Sequence, residues 1–199
     1  MKAHAYLVDD DDAIRDSLTW LLESRGVSCL SYASAEDFLA VWNPAFAGCL
    51  LLDIRMDGMS GPELFDILGE RGNRLPVIFL TGHGDVPMAV SALKKGAFDF
   101  VEKPCNDNEL VNRVIEALQL DANQRVAASD ADSVNARLGR LTSRERQVME
   151  RILTGQLNKV IADELEISMR TVEVHRANLF EKMGVRTAVD LAQLLAGKR

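Results

Sequence analysis

Long apolar runs are missing from this chain. No stretch approaches the roughly 18 consecutive apolar residues that a membrane-spanning helix needs, and the start lacks the basic, apolar, small-residue order of a secretory signal. The expected location is therefore cytoplasmic. Cysteine is scarce: Cys29, Cys49 and Cys105 lie far apart with no C-x-x-C spacing. Neither a zinc site nor a disulfide framework is indicated, and each reads as a small buried hydrophobe in a reducing compartment. His4 and His83 have no companions at ligand spacing, so they read as packing or solvent-facing groups.

What is present sets other bounds. The 199 residues allow one large domain or two modest ones, and 47% apolar content is enough for a real core. The net charge of −7 divides unevenly: residues 1–136 hold 11 Lys/Arg against 22 Asp/Glu, and residues 137–199 hold 12 against 8. An acidic front and a basic back suggest two domains with different partners, the second a polyanion.

In the front part, short apolar runs occur at residues 4–8, 27–32, 49–52, 77–80 and 98–101. Helical patterns separate them: about 12–25 with Gly26 as its stop, one opened by "SAED" (34–37), then 61–70, 85–95 and from about 107 onward. Five such alternations predict a doubly wound α/β domain with a parallel sheet. In such sheets ligands bind beyond the carboxyl ends of the strands. With strand order 2-1-3-4-5, Asp9 and Asp10, Asp53, Thr81 and Lys103 would all reach one edge.

That convergence bears on the run "AYLVDDDD" (5–12), which places four carboxylates after a buried strand. Three clustered carboxylates need a compensating cation, and hard oxygen ligands suit Mg²⁺. Asp9 and Asp10 then read as metal-site acids, with Asp11 or Asp12 capping the next helix. Asp53 reads as a carboxylate nucleophile toward phosphorus. Lys103 and the Thr81 hydroxyl read as contacts to phosphoryl oxygens.

On these residues, together with "TGHGDVPMAV" (81–90) and "DFVEKP" (99–104), residues 1–120 resemble the flavodoxin-like receiver domain of two-component response regulators, in the wording of the FixJ subfamily. The resemblance implies phosphorylation of Asp53 by a sensor histidine kinase. It implies Mg²⁺ bound by Asp10, Asp53 and the backbone carbonyl of Arg55, with Asp9 acting through water. It also implies a cis Lys103–Pro104 bond, and a switch in which Thr81 moves inward and Phe100 re-seats. Two positions depart from the pattern: Asp57 where proline is frequent, and Cys105 where phenylalanine is common.

Beyond Asn106 an amphipathic helix carries Leu110, Val111, Val114, Ile115 and Leu118 on one stripe. Residues 121–139 are polar and proline-free and read as a linker, a helical extension of that element. Residues 140–199 read as an all-α domain. Thr142 or Ser143 caps a helix ending at Gly155; a short helix follows, with Val160, Ile161 and Leu165 inward. After the "EIS" turn, Ser168 caps a third helix ending at Gly184, and a last helix holds Val189, Leu191, Leu194 and Leu195. The "EIS" turn makes a helix-turn-helix.

On the third helix Val172, Leu179 and Met183 share a face, with His175 and Arg176 at its margins. The opposite face carries Arg170, Glu173, Val174, Ala177, Asn178 and Glu181. Glu can accept from cytosine, Asn can read adenine, and small apolar groups suit thymine methyls. Lys159, Arg170 and Lys182 are candidate phosphate contacts. "LTSRERQV", "NKVIADEL" and "RTVEVHRANLFEKMGV" resemble the LuxR/NarL-type DNA-binding domain. That resemblance implies a DNA-facing set of Lys159, Thr171, Glu173, Val174, His175, Arg176 and Ala177. The helical wheel instead tilts Arg176 toward the core, where it could pair with Glu145.

The whole reads as a transcription factor that is not an enzyme. Phosphorylated Asp53 would promote homodimerisation through the face around 86–101 and binding to double-stranded promoter DNA, with RNA polymerase a further candidate partner. The alternative is an Mg²⁺-dependent phosphohydrolase passing through an aspartyl phosphate. Such enzymes commonly carry a second acid two residues after the nucleophile, where this chain has Arg55. An RNA-binding antiterminator and, for the tail, a protein-interaction bundle are the other readings.

Overall fold

The structure, a computed structural model, describes residues 2–82 and 86–196, so His83 lies outside the described residues. The chain divides into two compact units, Met1–Arg125 and Val126–Arg199.

In the first unit, β1 (His4–Val8), β2 (Cys29–Tyr32), β3 (Gly48–Asp53), β4 (Val77–Thr81) and β5 (Asp99–Glu102) form one sheet in the order β2-β1-β3-β4-β5. Every pairing is parallel, and the register sets Val8 beside Leu52, Asp53 beside Leu80 and Thr81 beside Glu102. Helices α1 (Asp12–Ser24), α2 (Ala35–Val41), α3 (Gly61–Glu70) and α4 (Val86–Lys94) alternate with the strands.

Side chains alternate along the central strands and build two cores. Leu7, Leu51, Ile78 and Leu80 pack with Leu18 and Leu22 of α1 and with Leu110 and Val114. Val8, Leu50, Leu52 and Phe79 pack with Phe38 of α2 and Leu64 and Leu68 of α3. Because both faces are covered, these strands read as unbroken apolar runs. Each buried leucine contributes about 1.5–3 kcal/mol.

The helix starts follow local chemistry. Asp11, not Asp12, is the N-cap of α1, accepting from the backbone N–H of Ala13 and Ile14, while Asp12 pairs with Arg15. Ser60 opens α3 with a reciprocal capping box to Glu63. Gly26 (φ +79°) lets the chain leave α1 in the left-handed region.

The next helix, α5, runs unbroken over Asp107–Gly139. Leu110, Val111, Val114 and Ala117 are its buried stripe; Ile115, expected on it, is exposed. The next position on the stripe, Asp121, is buried and accepts hydrogen bonds from Gly48 N (2.8 Å) and Arg125 Nε (2.7 Å). Arg125 also donates to the Phe46 carbonyl. The helix is therefore fastened to the first unit through Arg125.

The second unit holds the distal part of α5 with α6 (Ser143–Leu153), α7 (Asn158–Leu165), α8 (Met169–Met183) and α9 (Ala188–Ala196). Val148, Ile152, Ile161, Leu165, Val172, Leu179, Met183 and Leu191 make its core, and Val134 of α5 is also buried. Val160 and Val189, expected inward and on the last helix's apolar face, are 41% and 64% exposed; Ala162 is the buried partner of Ile161 on α7. Glu166 makes the turn between α7 and α8 at φ +55°, and Arg137 Nη1 donates to the Met183 carbonyl at the end of α8.

Of the cysteines, Cys29 and Cys49 are buried as expected but Cys105 is only half-buried. Burial pushes the Cys49 thiol up to about 12, so it stays protonated. No helix among the described residues is long and apolar enough to cross a membrane.

Candidate functional site

The carboxyl edge of the sheet gathers the residues that the strand ends carry. Asp9, directly after β1, is 1% exposed, and Asp53, the last residue of β3, is 7% exposed. Asp10 is exposed. Each of the three offers a carboxylate oxygen within 4.8 Å of the others. Lys103, following β5, sets its ammonium 2.6 Å from Asp9 Oδ2 and 2.6 Å from Asp53 Oδ1. The Lys103–Pro104 bond is cis.

Backbone donors complete the frame. Arg55 N–H donates to Asp53 Oδ2 (3.1 Å) and Asp11 N–H to Asp9 Oδ1 (3.0 Å). Arg15, on the first turns of α1, donates to the Asp9 carbonyl at 2.6 Å. Asp57 N–H donates to Asp10 Oδ2 at 2.8 Å, a bond that proline at this position could not make. Glu36 of α2 accepts from Met59 N–H and steadies the loop after β3. Sequence reading missed Arg15, Asp57 N–H and Glu36: a backbone donor leaves no compositional signal, and Arg15 and Glu36 read as ordinary helix-surface charges.

Close packing fixes the backbone at Asp53. A Cβ at Gly61, the first residue of α3, would stand 2.1 Å from the Asp53 carbonyl oxygen. Only glycine lets α3 begin this near β3, where Gly61 N–H donates to the Ile54 carbonyl.

Burial pushes the Asp53 carboxyl up from its ordinary value; Lys103 opposes this and Asp9 adds to it. For Lys103, burial works to lower its value, but bonds to Asp53 and Asp9 outweigh it and hold the ammonium above its usual range. Among the described residues the buried Thr81 hydroxyl has no hydrogen-bond partner, an orphan that costs about 1–3 kcal/mol. Phe100 is half-buried against the Phe38–Phe79 core.

The donor set fits a hard divalent cation. Three clustered carboxylates carry more negative charge than Lys103 alone compensates, and their ligand atoms are all oxygens. Both oxygens of Asp9 are engaged, by Asp11 N–H and Lys103. Both oxygens of Asp53 are engaged in the same way, by Lys103 and by Arg55 N–H.

In the second unit, α8 exposes Arg170, Glu173, Val174, Ala177 and Asn178, and α7 exposes Lys159. Val174 is 52% exposed. Thr171 and His175 are half-buried, and the Thr171 hydroxyl is engaged with Ser168 Oγ at 2.8 Å. Two expected pairings are corrected. Lys182, a candidate phosphate contact, bonds Glu145 at 2.7 Å and 2.8 Å, inside the unit. Arg176, a candidate partner of Glu145, instead donates to Asn158 Oδ1 at 3.2 Å and lies over the Phe180 ring.

Burial works against ionisation of Glu145, but Lys182 and the Thr142 cap outweigh it and hold its carboxyl below the usual range.

Comparison with known proteins places both units. The response regulator receiver domain family matches residues 5–115, and the luxR family of bacterial regulatory proteins matches residues 139–195. The chain is 49% identical over 196 residues to the C4-dicarboxylate transport transcriptional regulatory protein DctR of Rhodobacter capsulatus, covering 98% of this chain and all of that one. It is 45% identical over 194 residues to the transcriptional regulatory protein FixJ of Azorhizobium caulinodans, covering 96% and 92%. Among solved structures, the response regulator StyR matches with a TM-score of 0.92 at 40% identity, covering 98% of this chain and 99% of that one. DctR and FixJ are transcriptional regulatory proteins matched over almost their whole length, which sets aside the phosphohydrolase alternative. The chain belongs to the two-component response regulators that join a receiver domain to a LuxR-type DNA-binding domain.

Proposed function

We propose that Asp53 is the phosphoacceptor, that a sensor histidine kinase is the donor, and that phosphorylation raises binding of the second unit to promoter DNA. The observation that carries this reading is the Lys103 ammonium held 2.6 Å from both Asp9 and Asp53, with Lys103 N–H donating to the carbonyl of Thr81, whose buried hydroxyl has no partner among the described residues. In the transfer, an Asp53 carboxylate oxygen forms a bond to phosphorus as the phosphohistidine P–N bond breaks. The electron pair leaves with the imidazole nitrogen, and the product is an acyl phosphate. Lys103 pairs with a phosphoryl oxygen, and the Thr81 hydroxyl gains an acceptor.

Asp10, Asp53 and the Arg55 backbone carbonyl would hold Mg²⁺, with Asp9 acting through water. A bound Mg²⁺ supplies positive charge toward the phosphoryl oxygens. Arg15, Asp57 N–H and Arg55 N–H keep the acids oriented before the donor arrives. Thr81 drawn inward and Phe100 re-seated would report to the face around 86–101, through which two chains pair.

Lys159, Arg170, Thr171, Glu173, Val174, His175, Ala177 and Asn178 form the proposed DNA-reading set. Exposed Val174 beside Glu173 supports this, since a merely solvated helix face would favour polar groups there. A monomer inserting one helix gains few contacts, so pairing on two half-sites acts by raising the effective concentration of the second unit. RNA polymerase is a further proposed partner, and the cytoplasm the proposed location. Footprinting of the chain's own genomic neighbourhood, with and without a small-molecule phosphodonor, tests the reading. Protection that strengthens with the donor supports it; protection indifferent to the donor removes the regulatory half.

A further inference from the structure

We propose that Arg176 is a positioning residue, which locks α8 against the first turn of α7 through Asn158 and does not itself contact DNA. The inference rests on the DNA-binding reading above and assigns this side chain a role within it. Arg176 sits between the buried stripe of Val172, Leu179 and Met183 and the exposed face of α8, and is itself half-buried.

Its guanidinium is engaged at both edge and face. Nη1 donates to Asn158 Oδ1 at 3.2 Å, and the central carbon lies 5.1 Å from the centroid of the Phe180 ring. Phe180 in turn packs on the core of the unit. A planar cation held by a hydrogen bond at its rim and by an aromatic ring at its face has a fixed orientation, which a lysine could not reproduce. The rival partner is accounted for, since both Glu145 oxygens accept from Lys182 and Oε2 accepts from Thr142 N–H as well.

Asn158 matters because of where it stands. It is the first residue of α7, whose N-cap, Leu157, provides no side-chain acceptor. The Arg176 bridge therefore joins the uncapped start of α7 to the middle of α8. In a helix-turn-helix one helix crosses the phosphate backbone while the next enters the major groove. Their contacts register together only if the angle between the helices is held. Reaching a base would require Arg176 to leave both partners that hold it.

The test is equilibrium binding of the full chain, over a salt series, to the duplex that the wild-type chain recovers from a random-sequence pool. Each phosphate-contacting cation contributes about 0.9 to the slope of log K against log salt concentration. Lys159→Ala, at a proposed phosphate contact, should lower that slope by about 0.9. Arg176→Ala and Asn158→Ala should each lower affinity roughly tenfold, as for loss of one charged hydrogen bond, with the slope unchanged. The double variant should be no weaker than the weaker single one, since both remove the same bridge. Arg176→Lys, which keeps the charge but loses the fork, should resemble Arg176→Ala. Arg176→Met carries the same expectations and keeps the aliphatic stem over Phe180, should the alanine variant unfold. A slope lowered by about 0.9 in Arg176→Ala with affinity restored by lysine, or affinity unaltered by either change, overturns the proposal. If the wild-type chain recovers no duplex, the DNA-binding reading fails instead.

Discussion

The ammonium of Lys103 lies 2.6 Å from the carboxylate of Asp53, and the same ammonium lies 2.6 Å from Asp9. One cation thus holds two buried acids from different strand ends, and it comes from the loop after a third strand. The pair is a structural bond in this state and, in the proposed chemistry, the seat of the incoming phosphoryl group.

Removing that cation should expose its structural part. Lys103→Ala should destabilise the first unit by about 1.5–3 kcal/mol, the worth of hydrogen bonds to charged groups. Added Mg²⁺ should restore more stability to this variant than to the wild type, because it replaces the lost positive charge. Urea unfolding with and without Mg²⁺ measures both effects.

Gly61 should tolerate no side chain. Gly61→Ala should cost about 1–3 kcal/mol by overpacking against the Asp53 carbonyl and should slow labelling by a phosphodonor, because the end of β3 must shift. Thermal denaturation together with the labelling rate checks this; a variant of unchanged stability would mean the loop yields more readily than the 2.1 Å approach implies.

The second unit should weaken in acid through Glu145. Its folded-state carboxyl lies below the ordinary range, so the stability it contributes is present above the ordinary carboxylate value and is lost as pH falls through the depressed folded one. Hydrogen exchange of amides in α6 and α8 should therefore accelerate on acidification, and Glu145→Gln should flatten that dependence while raising exchange at neutral pH.

Much of this was legible in the sequence because several local signals agreed. Strand runs covered on both faces, the acid after β1, Asp53 at the end of β3 and the Lys-Pro step after β5 each had a simple physical reading, and together they required one strand order. The Ser168 cap and the Gly184 stop bounded α8 in the same way. What stayed hidden were relations between distant positions. Asp121 belonged to a polar stretch, and nothing local announced that helical periodicity would bury it under Gly48 with Arg125 as its partner. Lys182 and Arg176 could each have met Glu145, and a wheel shows direction but not which cation arrives. The helical stripe puts Ile115 and Val160 inward, whereas Ala117 and Ala162 are the residues buried on those helices.

Val90 on α4 is 40% exposed, in a segment with Lys94 and Lys95 that suits a reversible interface. Val90→Glu should weaken phosphorylation-induced pairing and promoter binding together while leaving Asp53 labelling intact. Sedimentation of the phosphorylated chain, paired with a promoter gel shift, reads both. A variant that stays monomeric yet binds the promoter as tightly as wild type rules out pairing as the link.

The central claim is that Asp53 accepts the phosphoryl group. The most direct measurement is peptide mass spectrometry of the full chain after Mg²⁺-dependent reaction with a small-molecule phosphodonor, for wild type and Asp53→Asn. The account predicts one phosphoryl group per chain, carried on the peptide containing Asp53, and none on the variant, whose amide cannot form an acyl phosphate. Stoichiometric labelling of Asp53→Asn, or a label on another peptide of the wild type, would contradict it.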